Sequence, residues 1–214
     1  MYKRFIKRIF DLIFSISALP FLFIIFLILG PIIYFEDKGP VFYNAPRLGK
    51  HGKVFKMYKF RSMKVNAPDL RNDDGTTFNS EDDSRLTKIG KLIRKTSIDE
   101  APQLVNVLKG DMSIIGPRPD LPEHRELYEG NEERKLEIRP GVTGYNQAYF
   151  RNTVPWKERI YNDIYYIDHL SWLLDMKIFL KTAISVLKGE NIFVSKRLKN
   201  QTIIQVEEFN VEIS

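Results

Sequence analysis

From Leu12 through Phe35 the chain carries no charged side chain, a run of 24 residues. As a helix such a run is about 36 Å long, more than the hydrocarbon core of a bilayer at about 30 Å. It predicts a membrane-inserted segment, and the rest of the fold has to be arranged around it. A cleaved signal peptide fits less well. The run ends in Gly30-Pro31-Ile32-Ile33-Tyr34-Phe35, with no pattern of small residues for cleavage.

Both flanks are basic: Lys3, Arg4, Lys7 and Arg8 precede the run, and Lys38, Arg47, Lys50, Lys53, Lys56, Lys59 and Arg61 follow it. Basic flanks favour the cytoplasmic side, so two basic ends disagree with simple crossing. Pro20 offers a resolution, because it removes a helical hydrogen bond and bends the helix. The carbonyl it frees is that of Ile16, with Ser15 or Ser17 as candidate donors. Leu12 to Pro20 is about 12 Å of helix, under half the bilayer. We expect residues 1–36 to form a re-entrant helix that dips in, bends near Pro20 and returns to the same face. A straight, kinked span is the alternative.

The 214 residues suffice for one domain with a membrane element. A net charge of +6 fits partners that carry phosphate: nucleotide, anionic lipid or nucleic acid. With no cysteine, disulfides and thiolate metal sites are excluded, and His51, His124 and His169 show no ligand spacing.

Beyond the apolar run, Val41 to Phe60 reads as two short strands around Gly49-Lys50-His51-Gly52. Asn66 to Asp83 is a polar loop whose acids, Asp73, Asp74, Glu81, Asp82 and Asp83, are expected to be solvated. Ser84 is a candidate cap for a basic amphipathic helix reaching Lys95, with Leu86, Ile89, Leu92 and Ile93 on its apolar side. Its charged face is either solvated or laid on anionic headgroups. A surface helix is expected from Pro122 to about Lys135. Tyr145, Tyr149 and Phe150 either pack in the core, stack on a base or face lipid. Trp172, Leu173, Leu174, Ile178 and Phe179 look interfacial or core-facing, in a helix that stops near Gly189.

The chemistry concentrates between Ser97-Ile98-Asp99-Glu100 and Gly116-Pro117-Arg118-Pro119. An adjacent carboxylate pair supplies a nucleophile or a metal ligand, and an arginine fixed between prolines supplies a phosphate clamp. Ser97 and Glu100 also match a helix capping box, which would give Glu100 a purely structural task. Pro102 complicates that reading, because the regular helix then begins near Pro102 itself.

The chain resembles the bacterial sugar transferases of the monotopic phosphoglycosyl transferase family over roughly Lys7 to Phe193. The resemblance rests on Lys7-Arg8-Ile9-Phe10-Asp11, Gly39-Pro40-Val41-Phe42, Tyr58-Lys59-Phe60-Arg61-Ser62-Met63 and Arg94-Lys95-Thr96-Ser97-Ile98-Asp99-Glu100-Ala101-Pro102-Gln103-Leu104. It continues through Asn106 to Ser113, Gly116-Pro117-Arg118-Pro119, Arg139-Pro140-Gly141-Val142-Thr143-Gly144 and Asp163-Ile164-Tyr165-Tyr166. Leu19-Pro20, Tyr145 and Phe150 depart from the family's usual Ser-Pro, Trp and Gly.

The resemblance implies an α+β, mainly helical fold: a re-entrant membrane helix, interfacial amphipathic helices and a small β-hairpin. It implies a catalytic domain over 37–193 at the cytoplasmic face of the inner membrane, followed by a tail over 194–214. It implies transfer of a sugar 1-phosphate from a UDP-sugar to undecaprenyl phosphate with release of UMP, the first membrane step of a polysaccharide or glycoprotein glycan. Asp99 would be the nucleophile, forming an aspartyl-phosphosugar intermediate, and Glu100 would hold Mg²⁺. Arg94 and Arg118 would position phosphate oxygens, Pro117 would belong with them to the substrate-binding set, and Lys59, Arg151 and Asp163 would lend charge support or positioning. Nucleic acid is not an expected partner, and the tail is a candidate homodimer contact. A scaffold without turnover, and a one-step transferase in which Asp99 only holds metal, are the competing readings.

Overall fold

The computed structural model describes residues 2–71, 78, 80, 82–150 and 154–188. After a π-helical turn at Tyr2–Ile6, helix α1 runs from Lys7–Asp37 without interruption through Pro20 and Pro31. Leu, Ile and Phe sustain it, and only 6% of its most apolar stretch is buried in the protein. It is therefore not the core helix of a globule, and it is long and apolar enough to cross a membrane. Neither serine serves the Ile16 carbonyl as expected. Ser17 donates to the Phe14 carbonyl at 2.9 Å, and the buried Ser15 hydroxyl has no partner among the described residues.

Both ends of α1 are tied to the same folded body. Near the start, Arg8 donates to the carbonyls of Val107 (2.7 Å) and Leu108 (3.3 Å), and Lys7 pairs with Asp175 at 2.6 Å. Asp11, buried, accepts from the Ser113 hydroxyl and the Ile114 amide. Near the end, Arg61 donates to Asp37 and to the Ile33 carbonyl, while Glu36 accepts from the Lys88 and Ile89 amides. Between these anchors Phe21, Phe23, Ile24, Leu27 and Ile28 stand exposed.

Strands β1 (Phe42–Leu48) and β2 (Val54–Phe60) form the expected antiparallel hairpin, in register from Phe42 opposite Phe60 to Leu48 opposite Val54. His51 in the turn and Gly52 both take positive φ, which the tight reversal requires. Helix α2 (Lys88–Lys95) begins later than read from the sequence. Thr87, not Ser84, caps it by accepting from the Gly90 amide. The reason is that residues 83–86 are otherwise engaged. Asp83 and Arg85 form a buried ion pair at 2.7 Å, and Leu86 bridges to Met63. Asp83 is thus not the solvated loop acid it was expected to be, and Arg85 is no part of the helix's basic face.

Helix α3 (Gln103–Lys109) leads into β3 (Ser113–Ile115), which pairs in parallel with β4 (Gly141–Thr143). The region from Pro122 forms two 3₁₀ segments, Pro122–Leu127 and Glu132–Glu137, instead of one helix. Their residues His124, Glu132, Lys135 and Leu136 are buried, so this is not a free surface helix. Short α4 (Tyr145–Tyr149), α5 (Trp156–Asp168) and α6 (Trp172–Lys188) complete the fold.

Three apolar clusters hold the body together. Phe55, Met57, Val107 and Met112 fix the hairpin to α3. Ile33, Phe60 and Ile93, with Leu22, Ile25, Phe26 and Leu29 around them, fix α1 to β2 and α2. Ile115, Ala148, Tyr166, Ile167 and Ile178 join β3 to α4, α5 and α6, with Tyr145 and Tyr149 packed against them. Core packing is thus what those two tyrosines do. Helix α6 is divided: Ile178 faces the core, Trp172 packs at a tilt against Phe10 of α1, and Leu173, Leu180 and Ile184 remain exposed.

Candidate active site

The carboxylate pair sits in the corner between α2 and α3. Ser97 takes φ +57°, a left-handed conformation, and Ile98–Glu100 form one 3₁₀ turn. Ser97 makes no side-chain cap, and α3 begins only after Pro102. The capping-box alternative for Glu100 therefore falls away, and its carboxylate is left to the cations around it. Lys59, near the end of β2, reaches Glu100 Oε1 at 2.6 Å, and Arg118 reaches the same oxygen at 3.4 Å.

Asp99 differs from its neighbour. Its side chain is buried, yet among the described residues no cation lies within ion-pair distance of it. Burial pushes its carboxyl up from 3.8 to about 6, against the pull of Lys59 and with a further push from Glu100. Burial also opposes charge on Glu100, but Lys59 and Arg118 outweigh it and bring that carboxyl down to about 2. The pair is thus split into one carboxylate held ionised by two cations and one kept uncommitted and basic. Environments that push two neighbouring carboxyls apart are how proteins assign them different roles.

Arg94, on the last turn of α2, donates through Nε to the Ser62 hydroxyl at 2.9 Å. Among the described residues Asp99 is the opposite charge that acts on it most strongly. Helix α2 can approach Ser62 this closely because residue 90 is glycine; a Cβ there would collide with the Ser62 carbonyl. Arg118 follows β3, and Pro117 before it is fully buried. The Gly116 amide donates to the Thr143 carbonyl and the Gly141 amide to the Pro117 carbonyl, both at 2.9 Å. A Cβ on Gly116 would meet the Arg139 carbonyl at 2.5 Å. The Gly-Pro-Arg-Pro and Arg-Pro-Gly-Val-Thr-Gly segments are therefore two sides of one backbone contact that aims Arg118 at Glu100.

The profile of the family described as Bacterial sugar transferase matches residues 2–189. The chain belongs to that family. It is 43% identical over 187 residues to the uncharacterized sugar transferase EpsL of Bacillus subtilis, which covers 87% of this chain and 90% of that protein. To the undecaprenyl-phosphate galactose phosphotransferase of Salmonella typhimurium it is 39% identical over 208 residues, 89% of this chain and 42% of that protein. A UDP-N-acetylgalactosamine-undecaprenyl-phosphate N-acetylgalactosaminephosphotransferase of Aeromonas hydrophila is 37% identical over 195 residues, 86% of this chain and 44% of that one. The chain spans most of EpsL and less than half the length of the other two.

In this sugar transferase the structure brings Asp99, Glu100, Lys59, Arg94, Pro117 and Arg118 into one corner. Arg151 lies outside the described residues, as does the tail over 194–214. Asp163 is elsewhere. It is fully buried on α5, where it accepts from Asn146 at 2.9 Å and pairs with Lys135 at 3.1 Å. Lys135 also pairs with Asp120 at 2.6 Å, and Asp120 accepts from Tyr128 and Trp156. Asp163 thus braces the segment that follows Arg118 through Lys135 and Asp120. Sequence reading missed Ser62, which orients Arg94, and Lys135, whose burial inside a run of charged residues leaves no local trace.

Among the described residues no three metal-ligating side chains cluster. Mg²⁺ does not require such a cage, since one or two carboxylates plus substrate phosphates suffice. Lys59 and Arg118 both occupy Oε1 of Glu100, which leaves its second oxygen for a cation. The donor set fits Mg²⁺ on that basis.

Proposed function

We propose that the protein moves a sugar 1-phosphate from a UDP-sugar to undecaprenyl phosphate in two steps, with Asp99 as the covalent carrier. The observation that carries this reading is the division of the pair: Glu100 is held by Lys59 and Arg118, whereas buried Asp99 is uncommitted. The named relatives support sugar-phosphate transfer to a lipid carrier as the reaction class.

In the first step an Asp99 carboxylate oxygen attacks the phosphorus that bears the sugar. The bond from that phosphorus to the bridging oxygen breaks, and UMP leaves with the electron pair. Arg118, Arg94 and Lys59 offset the repulsion between carboxylate and diphosphate. In the second step a phosphate oxygen of the lipid attacks the same phosphorus, the acyl-phosphate bond breaks, and Asp99 is restored as a carboxylate. Glu100 would hold Mg²⁺, which supplies neutralising charge to the phosphoryl oxygens. One buried carboxylate thereby serves a soluble donor and a membrane-bound acceptor in turn.

The same reading places the site at the cytoplasmic face of the membrane, with α1 re-entrant. The support is mechanical. Arg8 and Asp11 at one end of α1, and Glu36 and Asp37 at the other, are all bonded to the one body that carries Asp99. UMP release from UDP-sugar before any lipid is added tests the two-step scheme. Release stoichiometric with enzyme, abolished in Asp99→Asn, is expected. UMP that appears only once lipid is present would refute it.

A further inference from the structure

One arginine outside the site described above is placed as though it belongs to it. In an antiparallel hairpin, residues directly opposite each other point to the same face. Tyr43 faces Lys59, Ala45 faces Met57, and Arg47 faces Phe55. Ala45, Met57 and Phe55 are buried, so this is the inner face of the hairpin. Lys59, which grips Glu100, lies on it. Arg47 lies on it too, four residues or about 13 Å further along the strand.

The far end of β1 is pinned to the arginine loop, since the Leu48 amide donates to the Asp120 carbonyl at 2.9 Å. That bond sets Arg47 beside the Arg118-Pro119-Asp120 segment, and Arg118 is the charge acting on it most strongly. Arg47 has no carboxylate within ion-pair distance among the described residues, and its hydrogen bond there is to the carbonyl of its neighbour Pro46, at 2.8 Å. Asp120, the carboxylate that acts on Arg47 among the described residues, is already committed to Lys135, Tyr128 and Trp156. Two arginines held together by the fold, the first of them paired with no acid among the described residues, repel unless an anion sits between them.

We propose that Arg47 and Arg118 form the seat for the donor phosphate that departs with the nucleoside. This rests on the two-step reading above. Arg118 pairs with Glu100 and is also the charge nearest in effect to Arg47, so it links the carboxylate pair to that arginine. The phosphate attacked by Asp99 lies at the carboxylate end, and the adjoining phosphate of the same diphosphate falls between the two guanidinium groups. Arg118 touches both halves of the donor, and Arg47 touches the leaving half alone.

Equilibrium binding of UMP and of uridine to the full chain in lipid nanodiscs tests this directly. Arg47→Gln weakens UMP binding by about tenfold or more, the range for a charge-assisted hydrogen bond, and leaves uridine binding unchanged. Arg47→Lys restores part of the loss for UMP. Equal losses for UMP and uridine would assign Arg47 to nucleoside packing or to fold integrity, and no loss for UMP would remove it from the site; either result overturns the proposal. These outcomes do not depend on turnover. Failure of wild-type enzyme to release UMP without lipid defeats the two-step reading while the binding comparison still decides the seat.

Discussion

Replacing Asp99 with asparagine should make the protein more stable, and only above a definite pH. Asp99 is buried, and its carboxyl titrates at about 6 instead of 3.8. Ionising it in the folded state therefore costs about 3 kcal/mol, at about 1.4 kcal/mol per pH unit. The sign follows from a folded value above the unfolded one. Below pH 3.8 both states are protonated and no penalty exists; it grows as pH rises and is complete above about 6. Asparagine resembles the neutral carboxyl in size and escapes the penalty. For a chain of this length about 3 kcal/mol corresponds to a rise in Tm of about 6–12 °C. Thermal melts of wild type and Asp99→Asn in the same nanodiscs, without donor or divalent cation, should show that gap at pH 8. It should close as pH falls toward 4. A variant that melts at or below wild type at pH 8, or a gap independent of pH, would refute the argument that Asp99 is held at a cost to the fold.

Other consequences follow from the same geometry. The kcat/KM for donor should fall tenfold per pH unit on the acid side of about 6, because Asp99 must be ionised to attack while Glu100 remains charged there. Lys59→Met removes the closer of the two cations on Glu100 and the strongest pull on Asp99, so that acid limb should move to higher pH in a pH–rate series. Gly90→Ala forces α2 away from Ser62 and Arg94 with it; UMP release should fall well over tenfold while uridine still binds. Thr87→Ala removes the α2 cap and should lower stability by about 1 kcal/mol, read from the melt, with donor KM little changed.

Much of this arrangement was legible before the structure, for reasons that are local. The uncharged run announces α1, and strand-prone residues around paired glycines announce the hairpin. The Asp-Glu pair and the proline-flanked arginine announce a phosphate site. What the sequence concealed depends on contacts between distant residues. Thr87 displaces Ser84 as cap because Asp83 and Arg85 close on each other in a buried pair. The 3₁₀ segments replace a helix where Lys135 turns inward to meet Asp120 and Asp163. Gly116 and Gly141 are needed because two backbones touch across 25 positions of sequence, and no local pattern encodes that. Asp163 carries a role that no local pattern reveals: buried against Lys135, it braces the segment behind Arg118.

The most direct test is the mass of intact protein quenched after incubation with UDP-sugar alone. The account predicts an increase equal to one sugar phosphate, located by peptide fragmentation on Asp99, absent from Asp99→Asn and discharged when undecaprenyl phosphate is added. Unmodified Asp99 in enzyme that has already released UMP would contradict it.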